Sequence, residues 1–433
     1  MTTATHPATP HQWPAAARVG YRFLFAYLVL FSFPGPFAYL PFAVTRAPSS
    51  WIYNATLALS RWTQIHLFGI PSPPPHSFTG SADTLYRYAT YLDYLLIAAA
   101  AAVVWTLLDR RRPNYSRLDQ WLRAWIRIDL ATIIFGYGFA KVIPTQFAVP
   151  SLQSYAQPLG EFSPMGLLWV FMGSSTAYSV FSGIAEVLGG LCLLLRRTAT
   201  LGGLILIAVM VNVTMLNFTY DVPVKIFSLH LLLMAAYIVA PDARRLLNVL
   251  VLNQATAPRL AMPLFTRRWA RAVATAAVAL FAGYIMWSDV SDGLASLSAA
   301  RSAAAASPLY GIYDVEGIHR DDAAMTPVAA HPAQWRRVIF DAGSRITIRT
   351  GSDIVTRFNS KVDAGAHAVT LTDRAVPGHT LVLTFEQPEE NSLVLRGTIA
   401  GEPSVLRLRR FDEKQYLLLN RGFNWIQERP FNR

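Results

Sequence analysis

Thr176-Ala177-Tyr178-Ser179-Val180-Phe181-Ser182-Gly183-Ile184-Ala185-Glu186-Val187-Leu188-Gly189-Gly190-Leu191-Cys192-Leu193-Leu194-Leu195 is the stretch that decides how this chain is built. As a helix it is about 30 Å long, the thickness of the hydrocarbon core of a bilayer. A lone carboxylate, Glu186, sits at its centre. Ionisable groups at that depth are rare and are usually functional. Gly183, Gly189 and Gly190 lie three or four residues away from it, where small side chains let neighbouring helices approach and shield a charge from lipid. The stretch reads as a membrane span with a buried polar site.

Working outward, the same test finds seven candidate crossings, at 19–42, 91–108, 128–143, 176–195, 201–218, 224–239 and 269–287. Pro34, Pro36 and Pro41 interrupt the first; a membrane helix tolerates this when neighbours satisfy the freed carbonyls, so it is expected to be bent or truncated. Its apolar run is too long for a cleaved signal peptide, and no small-residue cleavage pattern follows. Two further apolar segments, 51–70 and 164–173, read as interfacial or re-entrant helices, the second opened by Ser163 as cap and Pro164 at the first helical position. Composition agrees, with 53% hydrophobic and 15% charged residues over 433 positions, far from an ordinary soluble domain.

The flanks set an orientation. One set, at 18–22, 110–127, 196–197 and 244–271 (Arg259 included), holds 16 arginines; the opposite set holds Arg46, Arg61 and Arg87. The positive-inside rule puts the N-terminus in the cytoplasm and everything after Trp287 outside. From Ser288 onward 17 basic residues balance 17 acidic ones, so the net charge of +12 belongs to the membrane region. That location implies anionic cytoplasmic lipid as partner and not nucleic acid. The single cysteine, Cys192, excludes intrachain disulfides and every dithiol mechanism.

The Ala-rich stretch at 299–307 reads as a linker or as a helical extension of the last crossing, and beyond it the period changes. Arg345-Ile346-Thr347-Ile348-Arg349 and Leu381-Val382-Leu383-Thr384-Phe385 are among about nine strand-like runs, the last at 415–419, separated by turn residues. That pattern predicts an antiparallel barrel or sandwich, with up-and-down spacing loosely like a lipocalin-type barrel. The aromatic and basic C-terminal segment 421–430 reads as a cap on the barrel or a membrane-surface contact, capping being favoured. His319, His331, His367 and His379 are scattered as loop residues are. The fold class is therefore multi-domain, a polytopic all-α membrane bundle followed by an all-β antiparallel barrel or sandwich. The expected boundaries are a disordered tail at 1–17, a transmembrane domain at 18–287, a linker at 288–307 and an extracytoplasmic β-domain at 308–433.

Lysine occurs four times against 34 arginines, so Lys141 and Lys225, the two in the membrane region, stand out. With Glu186, Asn212, Asn217, Asp221 and His230 they form the candidate ligand-binding set. Asp221 reads as a cap of the sixth crossing, paired one turn on with Lys225. His230 lies five positions beyond Lys225, some 140° around the helix, and reads first as a packed, hydrogen-bonded histidine. A di-metal bundle site needs several carboxylates and Glu-x-x-His pairs. Glu186 stands alone in its helix and Asp129 is placed at the cytoplasmic end, so no metal is expected.

Gly136-Tyr137-Gly138-Phe139-Ala140-Lys141, then Ala185-Glu186-Val187-Leu188-Gly189-Gly190, the Arg196-Arg197 turn and the closing Pro241-Asp242-Ala243-Arg244-Arg245 give residues 127–245 an order of features that resembles the DoxX family of small bacterial membrane proteins. The resemblance implies a four-helix membrane bundle in a family linked with quinone- and sulfur-related redox complexes. The extra N-terminal helices, the insertion at 144–175, a seventh crossing and the β-domain depart from it. No haem-attachment motif, nucleotide loop or cysteine cluster supplies electrons, so a redox role requires a separate subunit. The expected function is a quinone- or lipid-binding accessory in envelope redox chemistry. The alternative is a non-enzymatic envelope protein whose outer domain binds a ligand or partner, and a multi-helix acyl or carboxyl transferase using Lys141 or Lys225 as base stands third.

Overall fold

The computed structural model describes residues 12–39, 46–74, 80–258, 263–305, 307–319 and 334–432. Pro41, Arg259 and His331, each used above, lie outside them. The chain divides into two compact units, Met1–Val142 with Val180–Ser291, and Ile143–Ser179 with Asp292–Arg433. In chain order its helices are α1 (Ala15–Ser32), α2 (Arg46–His66), α3 (Leu85–Leu108), α4 (Ser116–Val142), α5 (Leu152–Ala156), α6 (Pro164–Ser174), α7 (Thr176–Leu194), α8 (Ala199–Thr219), α9 (Lys225–Val239), α10 (Ala243–Leu250), α11 (Arg268–Ala305) and α12 (Leu417–Asn420).

Six helical stretches among the described residues are long and apolar enough to cross a membrane: Ala15–Phe37, Leu85–Leu108, Thr176–Leu194, Ala199–Thr219, Lys225–Leu250 and Arg268–Ala303. α4 is not among them, because Arg127, Asp129 and Lys141 dilute its apolar character. It nevertheless lies antiparallel along α7. Arg127 donates to the Leu193 and Leu194 carbonyls at 2.8 and 3.0 Å, and Gly138 touches Gly183 towards the other end. The charges of α4 are turned into protein: Asp129 and Lys141 are buried and Arg127 is half-buried. The core of this unit is apolar, with Ile126, Leu130, Ala131, Leu206, Met234 and Ala235 fully buried.

α1 ends at Ser32, truncated as its prolines predict: Pro34 has no N–H for the next turn, and its ring disfavours helix at the residue before it. A 3-10 turn, Gly35–Tyr39, follows. The tail expected to be disordered over 1–17 is ordered where described. Trp13 N–H donates to the Pro113 carbonyl at 3.0 Å, and helix begins at Ala15. Of the two readings of the stretch before the β-domain, linker or helical extension of the last crossing, the second holds: it is helical through Ala305 as part of α11, for it is rich in alanine and has no proline. α2 buries Ser60, Thr63 and Gln64 while Trp51, Tyr53 and Trp62 are exposed, so its polar stripe faces protein.

In the second unit, β1 (Gly311–His319), β2 (Trp335–Asp341), β3 (Arg345–Thr350), β4 (Val355–Asp363), β5 (Ala368–Asp373), β6 (Thr380–Glu386), β7 (Ser392–Ile399) and β8 (Glu402–Phe411) form a closed up-and-down barrel. Each strand pairs antiparallel with the next, and β8 returns to β1 with Ile312 opposite Phe411. The ninth expected strand, 415–419, is instead a 3-10 turn and α12. The Asp412 carboxylate accepts the Lys414 N–H at 3.0 Å, which starts a helical turn in place of an extended run.

Alternation fills the barrel with Val369, Leu371, Leu383, Phe385, Leu393, Leu395, Leu406 and Leu408, all buried. The interior is a packed core and not a ligand chamber. On β2 and β3 the outward residues are buried too, because the 143–179 segment covers them. Leu152 of α5 packs on Ile312 and Ile339, Thr347 meets the Gln153 amide at 2.8 Å, and Glu161 pairs with Arg349 at 2.7 Å. The C-terminal segment does not cap the barrel: Phe423, Trp425 and Ile426 are exposed, Trp425 at 90%.

Candidate functional site

The polar centre of the helical unit is built by a glycine contact. A methyl group at Gly183 would sit 2.6 Å from the Gly138 carbonyl oxygen and 2.8 Å from Lys141 Cβ; one at Gly138 would sit 3.3 Å from Glu186 Cβ. Only hydrogen at both positions lets α4 and α7 come this close. Lys141 and Glu186 lie one turn or less from that contact, and Lys141 Nζ donates to Glu186 Oε2 at 2.8 Å and Oε1 at 3.0 Å. The third ammonium hydrogen points to the Tyr137 carbonyl at 3.4 Å, and the ammonium lies 5.6 Å from the centre of the Tyr137 ring. Lys141 is 6% exposed and Glu186 2%. Among the described residues this is the only ion pair whose two side chains are both under a tenth exposed. Such a pair can exchange one proton between two neutral and two charged partners with little movement of heavy atoms.

The other expected residues stand elsewhere. Lys225 Nζ pairs with Asp221 at 2.7 Å and with Asp83 at 3.7 Å, so it does not converge on Glu186. The Asp221–Lys225 pair is as expected, but the expected cap is not. Asp221 is in the left-handed region at φ 53°, and the Lys225 N–H donates at 2.9 Å to Asp83, in the lead-in to α3. Cap and pair both need an acid near the start of α9, and sequence adjacency pointed to the nearer one.

His230 is packed and hydrogen-bonded. Nδ1 meets the Ile226 carbonyl at 2.7 Å, Nε2 meets the Tyr27 hydroxyl at 2.5 Å, and the ring stacks 4.3 Å from Phe31. Asn212 is exposed and Asn217 is buried. Among the described residues the Asn217 amide nitrogen has no hydrogen-bond partner, and no bond joins it to Glu186.

Two buried polar groups escaped the sequence reading. Asp93, in α3, accepts from the Ser60 hydroxyl at 3.0 Å and from Thr63, both on α2. The i, i+3, i+4 spacing of Ser60, Thr63 and Gln64 on an otherwise aromatic helix was the available signal. Arg22, counted only as a flanking charge, is buried and donates to Tyr115, Thr106 and the Asp109 carbonyl at 2.8, 2.7 and 2.7 Å. It ties together the ends of α1 and α3 and the start of α4.

No family model matches the chain, and no solved structure does. A stretch of 126 residues, 29% of the chain, is 32% identical to 80% of a protein of Bacillus subtilis (strain 168) described as "Uncharacterized protein YwoB". The chain belongs to the YwoB family. The relation covers most of YwoB and less than a third of this chain, which adds a large remainder to the shared part.

Proposed function

We propose that this is a multi-pass envelope membrane protein whose helical unit is of the DoxX type. Its buried Lys141–Glu186 pair holds the polar head of a lipophilic molecule, a quinone being the candidate, and exchanges a proton with it. The N-terminus and the arginine-rich flanks face the cytoplasm and anionic lipid, and the barrel stands outside. Electrons come from a separate subunit, since the chain carries no cofactor motif of its own. The observation that carries this reading is the burial of a complete ion pair at the Gly138–Gly183 contact, a costly arrangement that in membranes marks function by default.

Lipid extraction and mass spectrometry of the full chain test it. A lipophile enriched over bulk lipid in the wild type and lost in Lys141→Met and Glu186→Gln is expected; identical extracts from all three would overturn the reading. A second reading rests on the same ammonium: its three hydrogens all have acceptors, as in a structural lock between α4 and α7. Identical extracts together with strong destabilisation of both variants would favour that lock, with the outer wall of the barrel as the partner-binding part.

A further inference from the structure

Asp129 lies on α4 three turns before Lys141. It is 3% exposed, and it forms no hydrogen bond or ion pair among the described residues. Donors surround it in sequence, yet each is committed elsewhere. Trp125 Nε1 donates to Ser32 Oγ at 2.7 Å, and that hydroxyl donates to the Leu28 carbonyl at 2.8 Å. Arg127 serves the Leu193 and Leu194 carbonyls, and Thr132 serves the Ile128 carbonyl at 2.9 Å. What faces the carboxylate is the broken end of α1. A methyl group at Gly35 would sit 3.3 Å from Asp129 Oδ1 and 2.6 Å from Trp125 Cζ2, and Gly35 has φ +56°, a backbone only glycine takes readily.

α1 and α4 both advance ten residues between the Arg22–Tyr115 and Ser32–Trp125 contacts, so they run parallel. α1 stops there, while α4 continues to Val142, about 25 Å further at 1.5 Å per residue.

We infer that Asp129 and the broken end of α1 form a buried proton-binding site, separate from the Lys141–Glu186 pair. An ionised carboxylate without donors is untenable in that surrounding. A metal cation would need several oxygen ligands, and the described residues hold no group of three or more His, Cys, Asp or Glu that could share one; a proton needs only the carboxylate. The titratable groups facing this region from other elements are Tyr39 of the 3-10 turn, within electrostatic reach of Asp129, and Asp289 of α11, within reach of Tyr39. Arg127 is turned to α7. Loss of the proton leaves an anion one helical turn from Trp125 on the same face. The indole N–H is then drawn from Ser32 to the carboxylate, and the end of α1 is unlatched.

The test is infrared difference spectroscopy of the full chain in lipid nanodiscs across a pH series. A protonated, weakly bonded carboxyl band is expected at neutral pH, shifted by isotope labelling of aspartate carboxyls and lost in Asp129→Asn. Because the folded state retains this proton and the unfolded chain releases it, wild-type stability falls with rising pH where that of Asp129→Asn does not. The melting-temperature difference between variant and wild type therefore widens as pH rises from the acid range through the titration of the buried carboxyl and is constant beyond it. Absence of the band from labelled wild type, its persistence in Asp129→Asn, or a melting difference independent of pH would overturn the site. If Asp129→Asn does not fold, Asp129→Glu decides: the band must leave the aspartate label and appear with labelled glutamate carboxyls, and a band that stays with aspartate overturns the site.

Discussion

At the scale of single residues, space and charge compensation decide what is tolerated. Gly183 meets backbone atoms, the Gly138 carbonyl oxygen and Val142 N, which cannot turn aside as a side chain can. Gly183→Ala is therefore expected to cost about 1–3 kcal/mol by overpacking, read as a lower melting temperature in detergent. Gly136→Ala, with nothing within 4 Å, should be neutral or slightly stabilising, as alanine favours helix by about 1 kcal/mol; equal losses at both positions would contradict the contact. A methyl group at Gly190 would sit 2.7 Å from the Phe135 ring, so a leucine there is also overpacked. The Lys141–Glu186 pair follows a different rule. Removing one partner strands a buried charge and costs about 3–5 kcal/mol, whereas removing both relieves it. Lys141→Met and Glu186→Gln should each destabilise strongly and the double variant less than their sum. Additive melting shifts would show that the two groups act independently.

At the scale of elements, caps come from wherever the fold brings an acid. The start of α9 is capped by Asp83, 142 positions earlier, while Asp221, four positions before Lys225, is left as an exposed ion-pair partner. Asp83→Ala should lower stability by about 1 kcal/mol or more, the loss of an N-cap. Asp221→Ala should cost about 0–1 kcal/mol, the range of surface pairs. Thermal unfolding of the two variants side by side checks the order, and a larger loss at Asp221 would reverse the assignment. The same logic explains β2 and β3. Arg345-Ile346-Thr347-Ile348-Arg349 alternates as a strand with one wet face should, yet Thr347 and Arg349 are buried because α5 and the residues to Glu161 lie over them.

At the scale of the whole molecule, the arginine asymmetry predicts that the C-terminus is extracytoplasmic. A reporter fused after Arg433 that requires export should be active and one that requires the cytoplasm silent; the opposite pair of results would invert the topology. The sequence by itself determined the six apolar helices long enough to cross a membrane and the eight strands of the barrel. Both follow from local periodicity and apolar length, which a chain carries in every window it is read through. It also singled out Glu186 and Lys141, since a lone charge in an apolar run is visible without any neighbour. Only the tertiary structure decided that Lys141 and not Lys225 answers Glu186, because that choice is made by a glycine contact between two helices separated by the 143–175 segment. It also decided that Asp129 faces a helix break, that Asp83 takes the cap, and that the barrel is filled and the outer side of its β2–β3 region covered by a segment from between α4 and α7. Each of these depends on which surfaces meet, and pairings between residues far apart in the chain leave no period in the sequence.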